Sequence, residues 1–476
     1  MNNFQLSEQA DPNKIFLTKF SELEGRFDPL MVLYQRKIKK FKFETKAFSQ
    51  LLKNNPQYGA NEVGIDRKLK NEPRYIRITD IDKYGLLKNN LGKTAEVLEN
   101  QYLLSNNNIL IARSGATVGK AYIHKTAQNK NVCFYAGYMI RFIVDESQVK
   151  PDYIFYYTQL NVYKEWVNAI QRASGQPNIN AEEYKSLKIP IPPKNIQADI
   201  VAKMDKAYQD KKDKETQAQN LLNSIDDYLL DELGIDFPKQ TDNSLKARIF
   251  TKKLSEVVGG RFDAEYYQNK YIDFENSLIE KGGYIFLKEL LQMLESGSRP
   301  TGGVGNIESG ILSFGGTHVS SDGYIDTSKA KYIPIEYHQK NLTTTTKIND
   351  LLLVKDGATT GKIAIIQKLE HESQNINEHV FLMRLKNNVN PIYLLSYLKS
   401  SFGNMQIKRE ITGATVTGLT KDVVNSLKIP LPPIEKQNQI AKRISKIRDQ
   451  AKQLQTEAKN GLEQAKHEVE IMILKG

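Results

Sequence analysis

The chain has 476 residues, an apolar fraction of 40% and a mean hydropathy of -0.50, room for two to four domains with buried cores, which excludes disorder as its main state. Its 67 Lys plus Arg against 55 Asp plus Glu give a net charge of +12; this suits a polyanionic partner whose counterions are released on contact, or equally a soluble protein with dispersed charge. The single cysteine, Cys133, excludes an internal disulfide framework and fits a reducing cytoplasm, while the lack of an 18-residue apolar run or a basic-then-apolar N-terminus argues against membrane insertion and secretion.

The first signature is "GRFDP" (Gly25 to Pro29). The β-rich runs "RYIRITDI" and "NVCFYAGYMIRFIVD" follow, broken by Gly, Asn and Pro, and Cys133 in the second reads as a buried apolar thiol. Between them the strand-like "NNNILIA" leads into "RSGATVGKAYI" (Arg113 to Ile123), whose glycines suit a tight hairpin with positive φ. One amphipathic helix is expected near Tyr153 to Ile170. A polar loop, "ASGQPNI" from Ala173, comes next, with Asn180 placed as a helix N-cap, and then "SLKIPIPP" (Ser186 to Pro193). After the prolines the pattern is helical: Ile200, Met204 and Ala207, then Ala218, Leu221, Ile225 and Tyr228, make an apolar seam that Lys211 and Lys214 interrupt.

The order then repeats. "GRFDAEYY" (Gly260 to Tyr267), "KDGATTGKIAI" (Lys355 to Ile365) after "NDLLLV", "NPIYLLSY" from Asn390 answering "KPDYIFYY" from Lys150, "ITGATVTGL" from Ile411 and "SLKIPLPP" (Ser426 to Pro433) come in register, with Gln197 and Ile200 recurring as Gln437 and Ile440. An eight-residue match with one conservative change is a duplication. The second helix carries Ile440, Ile444, Ile447, Ala451, Leu454 and Ala458 at coiled-coil spacing.

The fold class expected is α+β: two similar globular lobes separated by two long helices that form an antiparallel coiled coil, a pseudo-twofold internal repeat. The boundaries are 1–195 and 241–433 for the lobes, 196–240 for the central helix and 434–476 for the C-terminal one. At about 1.5 Å per residue a helix from Ile196 to Leu233 spans roughly 57 Å, a spacer between the lobes. Residues 1–193 carry 28 Lys plus Arg against 19 Asp plus Glu, a net of +9, whereas 194–240 carry 7 against 10, a net of -3. The lobe is the basic part.

A P-loop needs four residues between its glycine and the Gly-Lys pair and then Ser or Thr; Gly115 and Gly119 enclose three and Ala121 follows Lys120, and the twin fails in the same way at Ile363. The six histidines form no ligand-spaced cluster, and no amino-methyltransferase tetrad is present. Two sets of loops offer donors for phosphates and base edges: Arg113, Ser114, Thr117 and Lys120, with Lys355, Thr359 and Lys362, on the hairpins; and Arg172, Ser174, Gln176 and Asn178, with Lys408, Arg409, Thr412, Thr415 and Thr417, before the proline runs. Turn formation alone is the other reading of each.

At the paired "SLKIP[IL]PP…Q..I" junctions, each opening a long helix, the chain resembles the specificity subunit of type I restriction-modification enzymes over essentially its whole length. The resemblance implies two target recognition domains that read the halves of a bipartite double-stranded DNA sequence. The helices would set the half-site spacing and dock two modification (methyltransferase) subunits, with Ile200, Met204, Leu221, Ile225, Ile440, Ile444, Ile447 and Leu454 as the coiled-coil or partner-docking residues. It implies no catalysis and no cofactor in this chain: S-adenosylmethionine, ATP and Mg²⁺ would belong to the modification subunits and to restriction (motor-nuclease) subunits, in a bacterial or archaeal cytoplasm at the nucleoid. One departure stands out, because the run Phe41 to Lys68 has no clear twin around Gly297 to Pro300, so the lead-in to each lobe is expected to differ. The competing readings are a coiled-coil scaffold with non-specific nucleic-acid-binding lobes and, third, a nucleotide-dependent enzyme.

Overall fold

The computed structural model describes residues 11, 15–20, 23, 28–171, 177–235, 249–257, 264, 266–301, 303, 307–411 and 418–474. It divides into two compact units, one of residues up to Lys214 together with Thr456 onward, the other from Glu215 to Gln455.

In the first unit, α1 (Pro29–Ile38) starts on an Asp28 carboxylate that accepts from the Leu30 amide, with Pro29 at the first helical position. After β1 (Thr45–Ala47), the strands β2 (Gln57–Tyr58), β3 (Ile65–Asp66), β4 (Arg74–Ile76), β5 (Lys93–Thr94), β6 (Ile109–Ala112), β7 (Ala121–Ile123), β8 (Cys133–Tyr135) and β9 (Met139–Phe142) build two four-stranded sheets. One is antiparallel in the order β2-β9-β6-β7, and the other, β3-β5-β4-β8, contains the parallel pair β4 and β8. The continuous apolar run of β6 is buried on both faces, as its composition requires.

Helices α2 (Pro151–Tyr157) and α3 (Asn161–Ile170) correct the expectation of one helix. The Thr158 hydroxyl donates to the Phe155 carbonyl and Leu160 takes an extended conformation, so the chain stops, turns through buried residues and starts again. After α4 (Ala181–Lys185), capped reciprocally by Asn180 and Glu183 as the sequence suggests, β10 (Lys188–Pro190) pairs with β1 and leads into α5 (Lys194–Leu233).

The second unit repeats this order: α6 (Asn269–Glu280), β11 (Ile285–Phe286), α7 (Leu287–Leu290), β12 (Leu291–Ser296), β13 (Ile311–Phe314), β14 (Tyr332–Ile333), α8 (Ile335–Lys340), β15 (Leu351–Val354), β16 (Ile363–Ile365), β17 (Asn375–Ile376), β18 (Val380–Leu385), α9 (Pro391–Lys399), α10 (Ser401–Glu410), α11 (Lys421–Asn425), β19 (Lys428–Ile429) and α12 (Ile434–Ile473). Its sheets run β12-β18-β15-β16, β14-β13-β17 with a parallel β13 and β17, and β11-β19. The first part of the lead-in therefore does have a twin, whereas β3 has none among the described residues. β1, one short helical turn at Phe48–Leu51 and β2 are answered by β11, α7 and β12, with Lys46 opposite Ile189 and Ile285 opposite Ile429.

Repeated residues explain the repeated sequence. Buried Gln197 accepts from the Lys150 amide at 2.9 Å and donates to the Pro192 carbonyl at 2.8 Å, while Gln437 accepts from the Asn390 amide and donates to Pro432 at the same distances. Tyr153 and Tyr393 donate to the carbonyls of Pro190 and Pro430, and Tyr157 and Tyr397 to those of Lys188 and Lys428. Each proline run is thus fastened to the lobe and to the long helix that follows it.

In the first unit, Lys203 and Lys214 of α5 pair with Glu468 (2.5 Å) and Glu457 (2.7 Å) of α12, so these segments run antiparallel. In the second, Lys436 pairs with Glu232. The seam lysine Lys211 is accommodated by laying its ammonium 4.2 Å from the Tyr84 ring centre, a cation–π contact. Ile200 and Met204 sit in the core of the first lobe, and Ile225, Ile440, Ile444 and Ile447 in that of the second; Leu221 and Leu454 are half-buried. These side chains pack within the chain, as the coiled-coil seam expected of them would. Another subunit would have to use the outward residues of the same helices.

Cys133 is 1% exposed on β8, and burial pushes its thiol up to about 11. Iodoacetamide at pH 7.5 is expected to leave the native chain unmodified and to alkylate it fully in urea; equal rates in both would place the thiol at the surface.

Candidate nucleic-acid interface

The β6–β7 and β15–β16 connections are tight hairpins closed by glycines at positive φ: Gly115 (79°) and Gly119 (83°), Gly357 (93°) and Gly361 (88°). A Cβ on Gly119 would come 2.7 Å from Val167, so the site demands glycine for space as well as conformation. In both units the tip is zipped to the end of the loop that precedes the proline run. Ser114 bridges to Asn178, with the Ile179 amide on the Arg113 carbonyl at 2.8 Å; Asp356 bridges to Gly418, with the Leu419 amide on the Lys355 carbonyl at 2.7 Å. In each unit the hairpin tip is thus joined to the described end of the second loop, at Asn178 and at Gly418.

In the first unit this surface is a polar concavity lined by Asn61, Arg113, Ser114, Gly137, Tyr138, Pro177 and Asn178. The Arg113 guanidinium lies 4.8 Å over the Tyr58 ring, and Tyr138, 63% exposed, stands beside it. Thr117 and Asn178 are exposed. Lys120 points the other way: its ammonium donates to the Ile81 carbonyl at 3.1 Å, and burial, with Lys88 adding, pushes its pKa down. Lys120 braces the hairpin from behind.

In the second unit Lys355 donates to the Ser296 hydroxyl at 2.9 Å above the Phe381 ring, and Asp356 holds His379. Glu378 pairs with Arg299 at 2.9 Å. Thr359 and Lys362 are half-buried on the hairpin. Lys408 and Arg409 do not lie in the loop: they close the last turn of α10, where the helical pattern outruns the polar composition. Arg409 donates to the Tyr266 carbonyl at 2.9 Å and stacks on Tyr266 and Tyr271, a structural post. Arg172, Ser174, Gln176, Thr412, Thr415 and Thr417 lie outside the described residues.

Sequence reasoning missed Tyr58, Tyr138, Asp356 and His379. Asp356 lies on the hairpin itself, and the pairing of β9 and β18 with the hairpin strands brings Tyr138 and His379 to the tip, as the Arg113 and Lys355 amides donating to their carbonyls show.

Residues 31–224 and 264–464 each match the type I restriction modification DNA specificity domain. The chain belongs to that family. It is 20% identical over 421 residues, 87% of this chain and 88% of the relative, to the type I restriction enzyme MjaVIII specificity subunit of Methanocaldococcus jannaschii. It is 24% identical over 341 residues, 70% and 69% of the two chains, to the putative MjaX specificity subunit of the same organism. A chain from a structure of a type I R-M system, solved for its complex assembly and conformational transition, superposes with a TM-score of 0.50 at 13% identity, over 89% of this chain and 95% of the other. That likeness is one of fold. Among the described residues no helix is long and apolar enough to cross a membrane.

Proposed function

We propose that this specificity subunit binds double-stranded DNA sequence-specifically, each lobe reading one half of a bipartite target through its hairpin-tip surface. The observation that carries the reading is that two superimposable backbone frames present different side chains: Tyr58, Arg113, Ser114, Tyr138 and Asn178 in one lobe stand where Ser296, Lys355, Asp356, His379 and Gly418 stand in the other. A shared frame holds both lobes against a duplex, and the exchanged groups alter donors, acceptors and charge at the base edges. The long helices act as a non-catalytic spacer and platform for modification and restriction subunits, which bring S-adenosylmethionine, ATP and Mg²⁺.

Methylome sequencing of cells expressing the chain with its modification subunit should return one motif of two short blocks around a degenerate gap. Arg113→Ala should relax one block and Lys355→Ala the other, with about 1–3 kcal/mol lost at the relaxed position. A motif without two blocks, or methylation without any motif, rejects the reading and favours a scaffold with non-specific lobes.

A further inference from the structure

At the tip of the first hairpin, one cation is held in place without being neutralised by any of the described residues. Arg113 is half-buried, with its guanidinium 4.8 Å over the Tyr58 ring, and among the described residues no carboxylate, carbonyl or hydroxyl accepts a hydrogen bond from it. The second lobe treats its tip cations differently: Lys355 donates to the Ser296 hydroxyl at 2.9 Å, and Arg299 pairs with Glu378 at 2.9 Å. The five N–H donors of Arg113 are left available, in a concavity that Asn61, Ser114 and Asn178 make polar.

The ring that holds the guanidinium is itself held. The Tyr58 hydroxyl accepts from the Ala181 amide at 3.1 Å, at the first residue of the capped helix α4. Just beyond the ring, Gly59 lies so close to the neighbouring chain that a Cβ would come 2.3 Å from the Ala136 carbonyl oxygen, and the Gly137 amide donates to the Ala60 carbonyl at 2.6 Å. The backbone segments that carry Tyr58 and Tyr138 are thereby pinned to each other. An arginine stacked on a fixed ring has little side-chain freedom left to lose on binding, and it presents a rigid fork of donors where a lysine presents a mobile point charge.

A backbone phosphate accepts a positive charge in many orientations and carries no base information. A fixed fork matches two acceptors side by side, and in the major groove only guanine presents two, at O6 and N7. We propose that Arg113, held by Tyr58 as a positioning residue, reads a guanine through O6 and N7 in the half-site of the first lobe. The assignment rests on the DNA-reading role proposed above and adds to it the base and the edge that is read.

The test uses the full chain assembled with its modification subunit, on duplexes bearing its methylated motif. Each guanine of either block is replaced in turn by 7-deazaguanine, which lacks the N7 acceptor, or by inosine, which keeps both O6 and N7. One guanine should stand out: wild-type binding drops about tenfold with 7-deazaguanine there and stays near full strength with inosine. In Arg113→Ala that penalty should vanish, and the methylated motif should lose its demand for guanine at the same position. Arg113→Met, which keeps the aliphatic stem on the ring, takes its place should the alanine complex fail to assemble. Tyr58→Leu should shrink the penalty to about threefold, while Tyr58→Phe keeps it. Absence of any sensitive guanine from both blocks overturns the assignment on the wild type alone. A penalty that persists without Arg113 overturns it too, as does an Arg113 variant that weakens natural and modified duplexes alike, the behaviour of a phosphate contact. Equal losses on both duplexes in Tyr58→Leu would make Tyr58 a structural residue and overturn its positioning role. A wild-type complex with no two-block motif sinks the sequence-reading role instead, whereas a two-block motif without a guanine read by Arg113 leaves that role standing.

Discussion

Alanine at position 437 lowers the stability of the second unit by about 2–4 kcal/mol, since each buried polar group left without a partner costs about 1–3 kcal/mol. The Gln437 carboxamide is 1% exposed and joins three segments: it accepts from the Asn390 amide where α9 begins, donates to the Pro432 carbonyl where α12 begins, and reaches the Asn388 carbonyl at 3.4 Å. Truncation strands the Asn390 amide and the Pro432 carbonyl in a partly buried site. Gln197→Ala should cost the first unit a similar amount, because the Lys150 amide and Pro192 carbonyl are stranded in the same way. Urea titration followed by hydrogen exchange of peptides around 388–400 and 150–160 separates the two units. A loss below about 0.5 kcal/mol in either would show that the clip is ornamental, as an exposed hydrogen bond would be.

Lys399→Met acts in the opposite direction at neutral pH and reverses at high pH. Burial, then Arg448 and Lys362, depress the Lys399 pKa to about 8, with Asp322 opposing. Below pH 8 the lysine is charged in both folded and unfolded chains, and the folded state bears the full cost of a buried charge. That cost is about 3 kcal/mol for a depression of this size. Between pH 8 and the ordinary lysine range the unfolded chain holds the extra proton, so wild-type stability rises with pH. Methionine fills the same volume without charge but loses the bond to the Ser321 carbonyl, worth about 1 kcal/mol. The variant is therefore expected to be about 2 kcal/mol more stable at pH 7 and slightly less stable above pH 10.5. Urea unfolding of both proteins at the two pH values checks the crossing; a variant weaker than wild type at pH 7 would refute the buried-charge account.

The duplication was legible because the repeated residues perform repeated bonds. Gln197 and Gln437, Tyr153 and Tyr393, and the two proline runs are held by the same carbonyls and amides, so their identity is fixed by geometry. The lead-in twin was hidden for the converse reason: β1 and β11 pair with β10 and β19 through backbone groups, which leave the side chains of "TKA" and "IF" free to differ. The break at Thr158 left no proline or glycine to announce it. At the candidate interface the hairpins and their glycines were readable, but the direction of Lys120 was not, since a lysine on a loop tip looks alike in sequence whether it faces solvent or the Ile81 carbonyl. The zipper of Ser114 to Asn178 joins residues 64 positions apart, beyond what periodicity can see.

In the first unit the Val162 amide at the start of α3 is capped by the Glu470 carboxylate at 2.8 Å, and the Lys42 amide is bound by the Ile473 carbonyl. The cap lies 308 residues downstream of the helix it completes. On a ribosome adding about 5–20 residues per second, the first lobe would be translated long before its last pieces arrive, waiting about 15–60 s with the floor of its core uncovered. A chain that stopped before Glu470 would thus damage the half of the protein made first. Chaperone demand should accordingly fall on the amino-terminal lobe.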